Sequence, residues 1–226
     1  ICCENQSSEL GNSNVMSGQF RYFAIFGSMR SGSNLLEQSL NQFSSITCHG
    51  ELFNPSFIGK PTATDFMGLD LNAREKSPKV LIKAMIKDAG EGIAGFRMFH
   101  DHDPRIANAI LEDPKCAKIV LRRDALQSFV SLGIARKTDQ WLLRDTTKRR
   151  SEKIVFDPSE FEKYRIALDE YYTHIRSSLQ KSGQTAFWIH YPEQRNIDVL
   201  NGIADYLGCD EKLDAVKETI KRQNPG

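Results

Sequence analysis

Residues 20–36, Phe-Arg-Tyr-Phe-Ala-Ile-Phe-Gly-Ser-Met-Arg-Ser-Gly-Ser-Asn-Leu-Leu, constrain this chain more than any other stretch. The nearly continuous apolar run at 20–26 is what a strand covered on both faces requires. Gly27 and Gly32 then bracket a tight turn of small and hydroxyl residues, after which Leu36, Leu40 and Phe43 recur at helical spacing. A strand, a tight turn and a helix N-terminus in that order aim several backbone N–H groups at one spot, which makes an anion cradle.

The two glycines have the spacing of the phosphate-binding loop G-x-x-x-x-G-K-[ST], but Ser33 stands where the lysine belongs and Asn34 where the Ser/Thr belongs. The turn therefore suits an oxyanion while lacking the ammonium and the magnesium-binding hydroxyl of a nucleoside triphosphatase. Taken alone, the segment also reads as a corner whose small residues allow close packing.

Apolar runs alternate with helical patterns along the rest of the chain. Residues 45–48 read as a second strand leading into Gly50-Glu51-Leu52-Phe53-Asn54, and residues 59–75 show no period and read as a long loop. Ser77-Pro78 opens a helix up to Gly90, 93–99 is a strand, and Asp103-Pro104 starts a helix through Ile110. Residues 117–121 form a strand followed by a helix over 124–136. Ser159-x-x-Glu162 is a capping box for a helix ending near Gly183, whose aromatic stripe Phe161/Tyr164/Tyr171 is core packing. A strand at 185–191 and helices at 197–207 and 211–222 close the chain. Strands alternating with helices predict an α/β fold of three layers, with a central, mainly parallel sheet flanked by helices and a P-loop-like first corner. In such sheets ligands sit beyond the carboxyl ends of the strands. The domain reading is a flexible tail over 1–18, without periodicity, and one α/β domain over 19–226.

The formal charge of +1 argues against a general affinity for nucleic acid or anionic membranes, and no apolar run is long enough to span a bilayer. Between Lys115 and Arg150, however, ten Lys/Arg face only three Asp/Glu. Such a run reads either as a solvated face or as the wall of a site for a polyanionic small ligand. The five cysteines are scattered with no C-x-x-C, which argues against a disulfide framework. His100 and His102 beside Asp101 and Asp103 imitate a metal cluster, but their spacing fits a helix-capping loop better, and no metal is expected. The expected compartment is the cytoplasm. The chain begins with Ile1 rather than Met, which leaves room for an upstream leader or anchor.

Arg123 follows the strand at 117–121, and Ser131 lies eight residues on, two turns along the next helix. A guanidinium fork there can chelate a phosphate and the serine can add a hydroxyl donor. Two anion sites at the ends of neighbouring strands suit a ligand with two separated anionic groups. At these residues the chain resembles the sulfotransferases. The segment Arg30-Ser31-Gly32-Ser33-Asn34-Leu35-Leu36 resembles their 5′-phosphosulfate loop, and Arg123 with Ser131 resembles their 3′-phosphate motif. The Gly50–Asn54 segment is similar to the bacterial carbohydrate and trehalose-type branch, and Arg30 replaces the loop lysine of the cytosolic branch, as in the Golgi carbohydrate enzymes.

The resemblance implies 3′-phosphoadenosine 5′-phosphosulfate as donor, without a metal, and a small-molecule or carbohydrate acceptor sulfated on a hydroxyl or an amine. It implies that Ser31, Gly32, Ser33, Asn34 and Leu35 hold the 5′-phosphosulfate and that Arg30 neutralises charge on the leaving oxygen. Arg123 and Ser131 would fix the 3′-phosphate. Glu51 would take the acceptor's proton if burial raises its pKa, with His49 and His100 as the other candidate bases. Residues 59–75 and 140–155 are expected to line the acceptor pocket. The alternatives are a P-loop-type nucleotide kinase or hydrolase and a non-catalytic nucleotide-binding relative. An oligomer is compatible with all of these.

Overall fold

In a computed structural model, residues 19–143 and 145–217 are described. The chain runs β1 (Tyr22–Phe26), α1 (Ser33–Leu40), β2 (Ile46–Cys48), β3 (Asp65–Phe66), β4 (Leu69–Asp70), α2 (Leu71–Lys76), α3 (Lys79–Asp88) and β5 (Ile93–Met98). It continues with α4 (Pro104–Glu112), β6 (Cys116–Arg122), α5 (Ala125–Thr138), α6 (Pro158–Lys181), β7 (Phe187–His190) and α7 (Ile197–Leu207). Five strands form one parallel sheet in the order β2-β5-β1-β6-β7, while β3 and β4 pair as a small antiparallel hairpin. The expected α/β architecture with a central parallel sheet is therefore what the chain adopts.

β1 occupies the middle of the sheet because both of its faces are apolar. Tyr22, Ala24 and Phe26 face a core built with Leu81, Met85, Ile106, Ile110, Leu168, Tyr172 and Ile175, from α3, α4 and α6. Phe23 and Ile25 face the opposite core, with Leu36, Leu40, Leu200, Ile203 and Leu207 from α1 and α7. That alternation is the period of two that a strand imposes on its side chains. After β1 the chain builds β2 and β5 on one side, then crosses to β6 and β7 on the other. The switch falls between β1 and β6, where a doubly wound sheet opens its ligand crevice.

Local chemistry places most of the helix boundaries. Asp103 caps α4 through the Arg105 N–H with Pro104 in the first turn, Asp124 caps α5 through Gln127, and Gly208 ends α7 in the left-handed conformation. Three expectations are corrected. The cap of α6 is Asp157, which accepts from the Ser159 and Glu160 N–H groups with Pro158 next to it, so the helix starts ahead of the Ser159 box. Residues 59–75 are not a structureless loop: they carry the β3–β4 hairpin and α2, capped by Asp70. Lastly, the described part of the helix expected at 211–222, residues 211–217, is irregular. Asn201 Oδ1 takes the Leu213 N–H and Gln42 Oε1 takes the Lys217 N–H, diverting donors that a helix would use. Residues 218–222 and the tail at 1–18 lie outside the described residues.

The basic run between Lys115 and Arg150 is not one face either. Lys118 is buried, with Nζ donating to Asp113 O and Gln184 Oε1, and the Arg122 guanidinium lies over the Tyr172 ring.

Buried Arg74 on α2 is the unexpected element. Its Nη1 reaches the carbonyls of Leu52 at 3.2 Å, Asn54 at 2.6 Å and Phe57 at 3.0 Å, and so pins the loop after β2. Replacing it by alanine leaves those carbonyls without their donor in a water-poor place. Arg74→Ala is expected to cost about 2–3 kcal/mol, read from urea unfolding; a cost near zero would mean that the loop holds itself.

Candidate active site

The loop between β1 and α1 reverses the chain within six residues, and two of them sit in the left-handed region: Arg30 at φ 65° and Gly32 at φ 96°. Glycine is required at the second for a further reason. A Cβ there would lie 2.5 Å from Gln194 Nε2 and 2.6 Å from the Tyr191 ring. Gly32 caps α1 without any side-chain hydrogen bond. The N–H groups of Leu35 and Leu36 turn back to Gly32 O, whereas those of Gly32, Ser33 and Asn34 find no acceptor among the described residues. The Ser31 hydroxyl is buried there, also without a partner among them. Donors concentrated at a helix N-terminus and left unfilled are what an anion would satisfy.

Two arginines close over this cradle. Arg30 Nε donates to Ser131 Oγ at 3.1 Å and Nη1 to Trp141 O at 2.6 Å. Arg123 Nη1 donates to Arg30 O at 2.9 Å, and its guanidinium lies 4.1 Å from the centre of the Tyr191 ring. Burial, together with the neighbouring Arg123 charge, pushes the Arg30 pKa down to about 10. The two guanidiniums thus bring positive charge together beside the loop. Of the residues expected to act on the donor, the structure brings Arg30, Ser31, Gly32, Ser33, Asn34, Arg123 and Ser131 to one end of the sheet. Leu35 is instead buried in the core.

Glu51 follows β2 and is set by an unusual close approach. Gly50, at φ 74°, lets the Gly59 backbone pass so near that a Cβ would strike its carbonyl oxygen, and Glu51 and Gly59 then exchange N–H···O bonds of 2.9 Å. The carboxylate is held from three sides. Arg97 Nη1 is 3.2 Å from Oε1, Asn54 Nδ2 donates to Oε2 at 2.8 Å, and His102 Nε2 is 3.4 Å from Oε2. The Phe99 N–H donates to His102 Nδ1, which assigns the proton of the neutral ring to Nε2, facing Glu51. Burial raises the Glu51 pKa, but His102, Arg97 and Asn54 outweigh it and hold the carboxyl below its ordinary value. The raised pKa expected for a base is therefore not found at Glu51.

Arg97, on β5, links the two halves. Beyond Glu51, its Nη1 donates to Ser33 Oγ at 3.2 Å, and its Nε lies 2.6 Å from Glu37 Oε2 without hydrogen-bond alignment. Glu37, on α1, has its pKa raised by burial, with the Arg97 charge opposing that rise. Glu37, Arg97, Tyr191 and Gln194 were all missed by sequence reasoning. A lone arginine inside the apolar stretch Ile93–Met98 was the available signal. The other histidines lie elsewhere: His49 meets the edge of Phe66 and His100 that of Tyr171. Asp103 caps α4 and pairs with Arg105, and no three His, Cys, Asp or Glu gather around one point among the described residues. None of the described helices is long and apolar enough to cross a membrane.

With this geometry in hand, comparison with known proteins is informative. No family model matches the chain. A sulfotransferase from Alicyclobacillus acidocaldarius has a similar structure, with a TM-score of 0.51 over 90% of this chain and 86% of that one, at 17% identity. In sequence the chain is similar to nodulation protein H of Rhizobium tropici, 24% identical over 203 residues, covering 89% of this chain and 81% of the relative. The chain's fold is therefore similar to that of a solved sulfotransferase.

The carboxyls titrate in opposite senses, which fixes a sign. Glu51, with its folded pKa below the ordinary 4.5, contributes stability that is present above that value and lost as pH falls through the lower folded value. Glu37, with its folded pKa above 4.5, favours the fold while protonated and disfavours it as pH rises through the raised value. Thermal unfolding followed from pH 3 to 7 should therefore show a shallower acid-side decline in Glu51→Gln than in wild type. Glu37→Gln should instead gain stability relative to wild type toward neutral pH; identical profiles for the three proteins would contradict this assignment.

Proposed function

We propose that this protein is a sulfotransferase that moves a sulfuryl group from 3′-phosphoadenosine 5′-phosphosulfate to a hydroxyl or amine of a small-molecule or carbohydrate acceptor. The observation that carries the reading is the unfilled N-terminus of α1, with Arg30 and Arg123 joined above it and Ser131 bound to Arg30. The cradle fits the donor's two anionic ends: backbone N–H groups of Gly32, Ser33 and Asn34 for the phosphosulfate, Arg123 and Ser131 for the 3′-phosphate. Bound there, the donor would supply an activated sulfuryl group and a good leaving group.

The residues then have distinct tasks. Arg30 is placed to neutralise charge that grows on the leaving oxygen, a stabilisation that a pre-oriented cation in a water-poor site supplies well. Glu51 is ionised at neutral pH, so it is ready to accept a proton from the acceptor nucleophile. Arg97 carries the positive field from Ser33 to Glu51, and His102 holds the carboxylate on its other side. The segment around Trp141 and the β3–β4 hairpin flank this end of the sheet, which makes them the natural walls for an acceptor. Transfer by in-line displacement asks chiefly for positioning and charge stabilisation, which is what these groups provide.

A second reading, a relative that binds nucleotide without turnover, is favoured by one observation: Glu51 is engaged by Arg97, Asn54 and His102 and its basicity is reduced. Calorimetry with 3′-phosphoadenosine 5′-phosphate against ATP/Mg²⁺, followed by labelled-sulfate transfer to pooled acceptors, tests both. Bisphosphate binding with transfer supports the sulfotransferase, binding without transfer the silent relative, and tight ATP binding alone a P-loop nucleotide enzyme. Arg123→Ala should weaken bisphosphate binding by about 2–3 kcal/mol, the range for a lost charge-assisted contact. Arg30→Ala should lower turnover more than donor affinity, since its role is in the transition state. Transfer that persists unchanged in Glu51→Gln removes Glu51 as the base.

A further inference from the structure

Gln194 lies in the short turn Glu193–Arg195 after β7 and is fully buried. Neither Oε1 nor Nε2 has a hydrogen-bond partner among the described residues. The carboxamide is packed on the turn that opens α1, close enough for Nε2 to lie 2.5 Å from where a Cβ on Gly32 would be. Bonds of its neighbours hold the turn in place. Tyr191 N–H donates to Arg122 O at 2.7 Å, His190 N–H to Glu193 Oε2 at 2.6 Å, and Asn196 N–H to Glu193 O at 2.8 Å.

A buried carboxamide with both ends unsatisfied is costly, and an apolar side chain of the same size would fill the space without that cost. The neighbouring N–H groups of Gly32, Ser33 and Asn34 and the buried Ser31 hydroxyl lack acceptors or partners at the same turn. The donors unmatched together at this helix N-terminus, Gln194 Nε2 among them, are matched together by a ligand that brings several acceptor oxygens. We propose that Gln194 is an additional donor-binding residue, whose Nε2 adds a side-chain N–H to the backbone donors around the bound anion. This rests on reading the cradle as the donor's phosphosulfate site. It assigns the turn after β7 a part in donor recognition beyond that of Arg30, Arg123 and Ser131.

The test compares wild type with Gln194→Leu and Gln194→Met in two measurements, thermal unfolding without ligand and calorimetric titration with 3′-phosphoadenosine 5′-phosphate. Both variants are expected to be at least as stable as wild type, with Tm higher by up to about 2–4 °C. Both should bind the bisphosphate roughly tenfold more weakly. Stability kept while affinity falls is the signature of a group kept for the ligand, because a space-filling residue would lose stability first. Variants that bind as tightly as wild type overturn the proposal. So do variants that are less stable, since the amide would then have had a partner, such as a buried water, in the empty protein. If one variant fails to fold, the other decides. A wild type that does not bind the bisphosphate overturns the donor reading itself, which is distinct from a wild type that binds no better than its variants.

Discussion

A single buried guanidinium sets the layout of this protein's functional end. Arg97 sits inside the sheet, on β5 beside β1, where a cation is tolerable only if charge and hydrogen-bond acceptors converge on it. They come from two segments: Glu37 and Ser33 from α1, and Glu51 from the loop after β2. Satisfying Arg97 therefore fixes the phosphate-type loop and the candidate base relative to each other. Neither could shift alone without leaving a buried charge uncompensated.

Around that centre the site is divided electrostatically. On the β6 side, Arg30 and Arg123 lie together beside the N–H groups of the loop; on the β2 side, Glu37 and Glu51 share Arg97. The division follows the topology, since β1 stands between β5 and β6 and the chain changes direction of winding there. Arg30 also joins the loop to two further elements, α5 through Ser131 and the segment before α6 through the Trp141 carbonyl. Arg30 thereby ties the loop to the segment proposed as a wall for the acceptor. Such mechanical economy suits a reaction in which two substrates must meet in line.

The loop after β2 illustrates how support can come from far away in sequence. Gly50 and Gly59 bring two backbones into contact, and Arg74 pins the carbonyls of the intervening turn from α2. Glu51 is thus presented on a short, braced loop rather than a mobile one, and its acidity is tuned by groups that the same bracing puts in reach.

By itself the sequence determined the elements whose signals are local. These are the apolar run of β1, the glycine turn, the helix starts at Asp103 and Asp124, the alternation of strands with helices, and the spacing of Arg123 and Ser131. Each depends on backbone preference or on residues a few positions apart, so the parallel α/β fold and the turn between its first strand and helix were legible. Local signals also misled where tertiary partners competed: Asn201 and Gln42 took the donors of the expected last helix, and a hairpin with α2 arose from a stretch with no period. What only the tertiary structure decided was the charge environment. Whether Glu51 would be a raised or a lowered acid depended on Arg97, Asn54 and His102, and Arg97 and His102 are distant in sequence. Gln194 is an ordinary glutamine until packing buries it against Gly32. Burial and charge coupling are properties of neighbours in space, and no spacing along the chain encodes them.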